Sequence, residues 1–265
     1  MLSAMSHPLN TPIGRFGIET FEGTGDHSIA RVPTRGLLNP LTGLPTAAPL
    51  AMLLDHVGGL ANHLRRGEDE WTVSTELSLE LSPETADLIT ADDAGVVGRA
   101  WPVGEKGPTA MALCEFSHRD VVIGTGSVRS FYITGAQFTD FPEHAEHHTR
   151  KVGLAAMMAV EADGPASLRQ HADPVINNML GIVHGGVAAT GLELVASAAL
   201  NAGRADTPLR TGSLRVNFLR RLVAGGECRY SATSLRVGRS TGVADAQAVG
   251  ADGQLALTAR FTGYR

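Results

Sequence analysis

Cysteine is scarce in this 265-residue chain: only Cys114 and Cys228 occur, far apart and in unrelated contexts. A disulfide-stapled secreted domain is thereby disfavoured, and either thiol reads as a buried, inert one. Positive charge is also in short supply. The formal net charge is −5, with Lys106 and Lys151 the only lysines, so no excess of cations exists to neutralise a nucleic-acid backbone and any phosphate contact must be local. The preference for Arg over Lys, beside abundant Ala and Gly, points to a GC-rich genome and says nothing about chemistry. No uncharged apolar run approaches the roughly 18 residues of a membrane helix, and the start MLSAMSHPLN has neither a basic end nor an apolar centre. A soluble cytoplasmic protein is the expectation, with no membrane and no nucleic-acid partner.

What is present is a core and a repeat. Hydrophobic residues make up 43% of the chain, ample for one large domain or two ordinary ones. The stretch RVPTRGLLNPLTG (31–43) lies over RQHADPVINNMLG (169–181) at an offset of 138 residues, placing Asn39 on Asn177 and Gly43 on Gly181. At the same offset, LPTAAPLAMLLDHVGGLA falls on IVHGGVAATGLELVASAA, and Asp55 falls on Glu193. Alternating segments follow each helix, TVSTELSLEL (72–81) and TGSLRVNFLR (211–220), with the period of two of a half-buried strand. Two further strands joined by a turn close each half, around His118-Arg119-Asp120 and around Ala251-Asp252-Gly253. A first strand, a loop, one long helix and then antiparallel strands make an α+β pattern, unlike the regular alternation of a doubly wound sheet. The helix over about 188–200 carries only Glu193 as a charge, so it must be buried on most sides and a curved sheet is expected to wrap it. Gly67 and Gly203 are the expected stops of the two helices.

Within the repeat, NNMLGIVHGGVAATGLE (177–193) sets His184-Gly185-Gly186 before the second helix. Glycines let backbone approach a ligand closely, and free N–H groups at a helix start attract negative charge. The plainer alternative is a loop followed by an exposed helical Glu193. Between the halves, residues 138–150 are rich in charge and histidine. His144 and His148, with Glu143 and Glu146, could share a helix face and hold a divalent metal, but no HExxH order or Cys partner accompanies them and a solvated linker is the better reading. No metal and no separate cofactor are expected.

NNMLGIVHGGVAATGLE, followed by SLRVNFLRRL, VGRSTG and LALTARFTGY, resembles the hotdog-fold acyl-CoA thioesterases of the phenylacetic-acid-degradation type over about the last 110 residues. The first half resembles the same domain through the internal repeat and the LAMLLDHVGG helix. The resemblance implies a tandem double hotdog, each half a long central helix wrapped by a curved antiparallel sheet, with an N-terminal domain at 1–137, a linker at 138–150 and a C-terminal domain at 151–265. It also implies an acyl-CoA substrate whose CoA is part of that substrate, and a homo-oligomer of double-hotdog chains. In that family an Asn, a His-Gly-Gly and an acidic residue nine positions after the His form the site, the loop coming from one subunit and the carboxylate from its partner. Asn178, His184-Gly185-Gly186 and Glu193 match. The first half departs: Thr46-Ala47-Ala48 replaces the His-Gly-Gly, and Pro40 takes the place of Asn178, with Asn39 beside it.

Thioester hydrolysis needs a placed water, a proton acceptor and a donor for the developing oxyanion. Gly185 N–H is the expected donor and Asn178 the orienting amide; the carboxylate serves as general base or as nucleophile. Because loop and carboxylate come from opposite halves, one competent site is expected, joining His184, Gly185 and Asn178 to Asp55, with Glu193 facing the degenerate Thr46-Ala47-Ala48 loop. Thr72 and Thr211 align with a hydroxyl that assists the carboxylate in the family, or are ordinary strand threonines. Gly238-Arg239, with Lys106 as first-half counterpart, resembles a turn that meets CoA phosphates, or is a solvated turn. His56 adjoins Asp55 but points about 100° away on a helix, which disfavours a dyad. The competing functions are a non-catalytic acyl-CoA-binding protein and a hotdog hydratase or dehydratase, although the GDxNPxH arrangement of double-hotdog hydratases is absent.

Overall fold

The structure, a computed structural model, describes residues 4–143 and 152–265. His144, Glu146 and His148, the suggested metal ligands, lie outside the described residues. Among the described residues no cluster of His, Cys, Asp or Glu could hold a metal ion, and no helix is long and apolar enough to cross a membrane.

The first half runs β1 (Met5–Ser6), α1 (Pro12–Arg15), β2 (Glu19–Gly23), β3 (Ser28–Val32), α2 (Pro49–His63), β4 (Glu70–Leu81), α3 (Thr85–Ala91), β5 (Val96–Val103), β6 (Thr109–His118) and β7 (Val121–Thr134). The second runs α4 (Leu154–Met158), β8 (Val160–Ala162), β9 (Ser167–Gln170), a 3-10 turn over Pro174–Ile176, α5 (Gly185–Asn201), β10 (Arg210–Phe218), β11 (Arg229–Val237), β12 (Thr241–Val249) and β13 (Leu255–Tyr264). One antiparallel sheet holds all the strands in the order β1-β2-β3-β5-β6-β7-β4-β10-β13-β12-β11-β9-β8. That order is nearly palindromic about the β4–β10 seam, where Leu79 pairs with Leu214 and Leu77 with Val216. These four apolar side chains face inward and are fully buried or nearly so, so the seam itself belongs to the core. Each half is a hotdog, and edge-to-edge pairing removes the one long strand edge that each would otherwise expose.

Each half holds three strands after β4 or β10, where two were expected. The additional ones are β5 and β11. Pro102 and Gly98 obscure the first, and most of β11 faces water, so neither shows the apolar alternation that marks a strand in sequence. Gly98 has a packing reason: a Cβ there would lie 3.1 Å from Leu53 Cγ, so the strand passes close under α2. The turn at Arg119-Asp120 has both residues at positive φ, the geometry that matches a two-residue hairpin to the twist of its strands. Helix α2 ends at His63, short of Gly67, while α5 stops two residues before Gly203, whose φ is +72°.

The two long helices cross antiparallel on the concave side of the sheet. Gly186 sits on Met52 so closely that a Cβ would come within 2.8 Å of Met52 Cα, and Thr190 Oγ1 donates to Ala48 O at 3.2 Å. Nearly every residue of α5 is buried, as an almost uncharged helix requires. The N-terminal segment is tied to the second half by an Arg15–Asp173 ion pair.

Candidate active site

Two carboxylates lie along the helix crossing, each opposite the helix-start loop of the other half. Asp55 of α2 is buried and lies against the start of α5: a Cβ on Gly185 would stand 2.7 Å from Asp55 Oδ2. Only glycine allows that approach without displacing the carboxylate. Ser74 Oγ donates to Asp55 Oδ1 at 2.8 Å and holds the group in place.

His184 is the N-cap of α5, and its Nδ1 accepts the Gly186 N–H at 3.1 Å. That acceptor role fixes the ring orientation and leaves the proton on Nε2. The 3.4 Å separation of His184 Nδ1 from Asp55 Oδ2 is therefore proximity and not a hydrogen bond. Burial lowers the His184 pKa, with Asp55 opposing the shift, so the ring is neutral and serves the loop as a cap. The Gly185 N–H has no acceptor among the described residues. It is a free donor at the positive end of a 17-residue helix, beside a carboxylate.

Asn178 stands in a tight turn: its N–H reaches Ile182 O at 2.8 Å, its carbonyl accepts from Gly181, and its Oδ1 accepts from Leu180 N at 2.9 Å. Its side-chain N–H2 has no acceptor among the described residues. The first half repeats this turn around Asn39, which bonds Leu44 O, Gly43 N and, through Oδ1, Leu41 N. Asn39 and not Pro40 is thus the counterpart of Asn178. The first-half turn is one residue longer, so the repeat offset changes inside it, with Leu38 bridged to Pro45 where Asn177 is bridged to Val183. Asn39 differs in one respect: its side-chain amide is already engaged, donating to Leu194 O of α5 at 2.9 Å.

Glu193 occupies the opposite position and is closed in. Thr46 Oγ1 donates to one carboxylate oxygen at 3.1 Å and Thr211 Oγ1 to the other. Thr46 also accepts the Ala48 N–H at 3.2 Å, just ahead of α2, whose own N-cap Ala48 has no side-chain cap. Burial pushes the Glu193 pKa up to about 7 against the pull of the two hydroxyls.

The remaining candidate residues divide between the two ends. Thr211 touches Glu193, but Thr72 does not touch Asp55; its hydroxyl is 2.8 Å from His63 Nδ1. The hydroxyl at Asp55 comes from Ser74, which the sequence reading missed. Strand β4 bulges between Ser74 and Glu76 and β10 between Thr211 and Ser213, so in each half the residue just before the bulge turns toward the carboxylate. The Gly238-Arg239 turn meets the far end of α5, where Arg204 Nη2 donates to Arg239 O at 3.2 Å, and so stands on the Glu193 side. The Gly104 to Lys106 turn meets the end of α2 through an Arg65 bond to Gly104 O at 3.0 Å, on the Asp55 side. Lys106 is paired there with Glu70 at 2.8 Å and lies over the Tyr132 ring at 4.6 Å. His56 is buried and bonds Thr20 Oγ1 at 2.8 Å, with burial as the main cause lowering its pKa to about 3. Cys114 and Cys228 are buried thiols whose pKa values burial raises, that of Cys228 to about 12.

Paired helices inside one continuous antiparallel sheet, with the helix-start loop of each half facing the other's acidic residue, define a double-hotdog protein. Residues 180–257 match the family model of the thioesterase superfamily. No curated protein matches the sequence. Among solved structures, the tesB protein of Mycobacterium avium subsp. paratuberculosis matches with a TM-score of 0.62 and 11% identity, over 92% of this chain and 95% of its own. An acyl-CoA thioesterase II, TesB2, from Mycobacterium marinum gives 0.56 and 13%, over 89% and 92%. A 12:0-ACP thioesterase from Umbellularia californica gives 0.58 and 8%, over 90% and 94%. At such identities the structural likeness speaks for the double-hotdog fold.

Proposed function

We propose that the chain hydrolyses acyl-CoA thioesters at a single site formed by Asp55, Gly185 and Asn178. The observation that carries this reading is the asymmetry of the two ends. At the Asp55 end the Asn178 side-chain N–H2, like the Gly185 N–H, has no acceptor among the described residues, whereas at the Glu193 end the Asn39 side chain already donates to Leu194 O and a threonine hydroxyl donates to each carboxylate oxygen. A thioester carbonyl placed on the Gly185 N–H has its developing oxyanion stabilised by that donor and by the helix start behind it. Asp55, held by Ser74, takes a proton from water as the water oxygen bonds to the carbonyl carbon. Collapse of the tetrahedral intermediate breaks the C–S bond, and the thiolate recovers a proton. Asp55 can instead attack the carbonyl itself, giving an anhydride that water then opens; the same residues serve both courses.

The test is a matched pair of isosteric changes. Asp55→Asn should lower turnover of acyl-CoA by about a hundredfold or more, the usual scale for losing a general base. Glu193→Gln should leave turnover within a few-fold of the parent protein. Thiol release measured after folding is confirmed by circular dichroism decides the matter, and the reverse pattern would place the chemistry at Glu193.

A further inference from the structure

One stripe of α2 beyond Asp55 is left open. Gly59 follows Asp55 by one turn and His63 by two, so the three share a face. A Cβ on Gly59 would meet nothing within 4 Å, whereas one on the adjacent Gly58 would lie 2.6 Å from Val128 Cγ2. Gly58 is therefore a packing glycine against the sheet, and Gly59 borders free space. Strand β4 runs beside this stripe and is tied to it at both ends, by Ser74 on Asp55 and by Thr72 on His63. The lane between the two ties is about 12 Å long, eight residues of helix rise.

Its far end is aromatic. Trp71 stands edge-on to His63 with ring centroids 4.5 Å apart, and Phe138 lies against Trp71 at 4.6 Å while half its own surface remains exposed. Phe138 belongs to the segment that leaves β7 toward the second half. Its neighbour Thr139 donates its N–H to Met179 O at 2.8 Å, in the turn that carries Asn178. The connection between the halves thus straps across from the aromatic end of the lane to the catalytic loop.

We propose that this lane receives the acyl group of the substrate, with Gly59 setting its allowed bulk and the Trp71–Phe138 pair its allowed length. The assignment rests on the thioesterase reading for the position of the thioester carbon. Charge favours the acyl group over the CoA arm. The cations near the far end, Arg65, Arg66 and Lys106, are matched by Glu68, Asp69 and Glu70, and Lys106 is already paired with Glu70. A polyanionic nucleotide finds no net positive field there, while an aromatic pair and a bare glycine suit an apolar or aromatic chain.

Two measurements test it. In a Trp101→Phe background, which leaves Trp71 as the only tryptophan, emission is followed during titration with CoA and with non-hydrolysable S-alkyl-CoA thioethers of increasing length. The expected result is no change with CoA or a methyl thioether and a saturable shift once the chain is long enough to reach Trp71. An equal shift with CoA alone would mean that the lane holds the pantetheine arm, and no shift with any thioether would mean that it is not a ligand site; either overturns the proposal. In parallel, Gly59→Leu should reduce kcat/KM for long-chain acyl-CoA by roughly tenfold or more while changing acetyl-CoA little, the discrimination expected when a pocket loses room for a few methylenes. Uniform loss across chain lengths also counts against the lane. Should Gly59→Leu fail to fold, Gly59→Ala should move the same ratio in the same direction, and Phe138→Ala, which removes the end of the lane, should move it the opposite way. If Trp71 reports chain length but no thioester is hydrolysed, the lane stands and the hydrolase reading falls.

Discussion

Glu193 shows what becomes of a carboxylate when its site closes. It has no exposed surface, and burial has moved its pKa up to about 7. A raised folded-state value means that the folded protein keeps a proton which the unfolded chain releases at ordinary carboxylate pH. The stability Glu193 contributes is therefore complete below about pH 4.5 and is lost as pH rises through about 7. The interval is worth at most roughly 3 kcal/mol. Glu193→Gln keeps the shape and removes the charge, so urea denaturation of the variant should be flatter between pH 5 and pH 8 than that of the parent protein, and the variant should be the more stable of the two at pH 8. Equal loss in both proteins would assign the pH dependence elsewhere. Asp55, the same position in the other half, gains a hydroxyl from Ser74 and a glycine face in place of two threonines.

Among the elements, the α2–α5 crossing sets the distance between loop and carboxylate. The second glycine of the His-Gly-Gly motif acts here through packing, because any side chain at Gly186 runs into the backbone of Met52. Gly186→Val should force the helices apart and cost on the order of 2 kcal/mol or more, as overpacking of a tight core contact does, seen as a lower midpoint in thermal or urea unfolding. The antiparallel helices, the facing of Asp55 toward Gly185 and the seam of two sheets follow from a repeat plus the rule that loop and carboxylate come from opposite halves. Ser74 could not be found that way, because a β-bulge shifts which strand residue turns inward and leaves no mark in the hydrophobic alternation. Asn39 was displaced by a single extra residue in its turn, a difference that an ungapped offset cannot show. Phe138 looked like part of a polar linker, and its contact with Trp71 joins segments far apart in sequence.

At the scale of the whole molecule, the two halves share a sheet, a helix pair and a core, with Leu77, Leu79, Leu214 and Val216 buried at the seam. Neither half can open without exposing that seam, so calorimetry should show one unfolding transition whose calorimetric and van't Hoff enthalpies agree. Two resolved transitions would mean that the halves are energetically separate.

Drawing loop and carboxylate from opposite halves of one polypeptide also frees the proposed reaction from mass action. Where two separate chains must meet to complete a site, specific activity falls once the solution is thinner than their dissociation constant; here the tether holds the pieces at a fixed effective concentration. Turnover per chain should stay constant through serial dilution far below the range where self-association of ordinary dimers fails. The same tether lets the two ends diverge, the Asn39 side chain bonded to Leu194 O while the side-chain N–H2 of Asn178 has no acceptor among the described residues, a divergence closed to any assembly of identical chains, where each substitution strikes every copy at once.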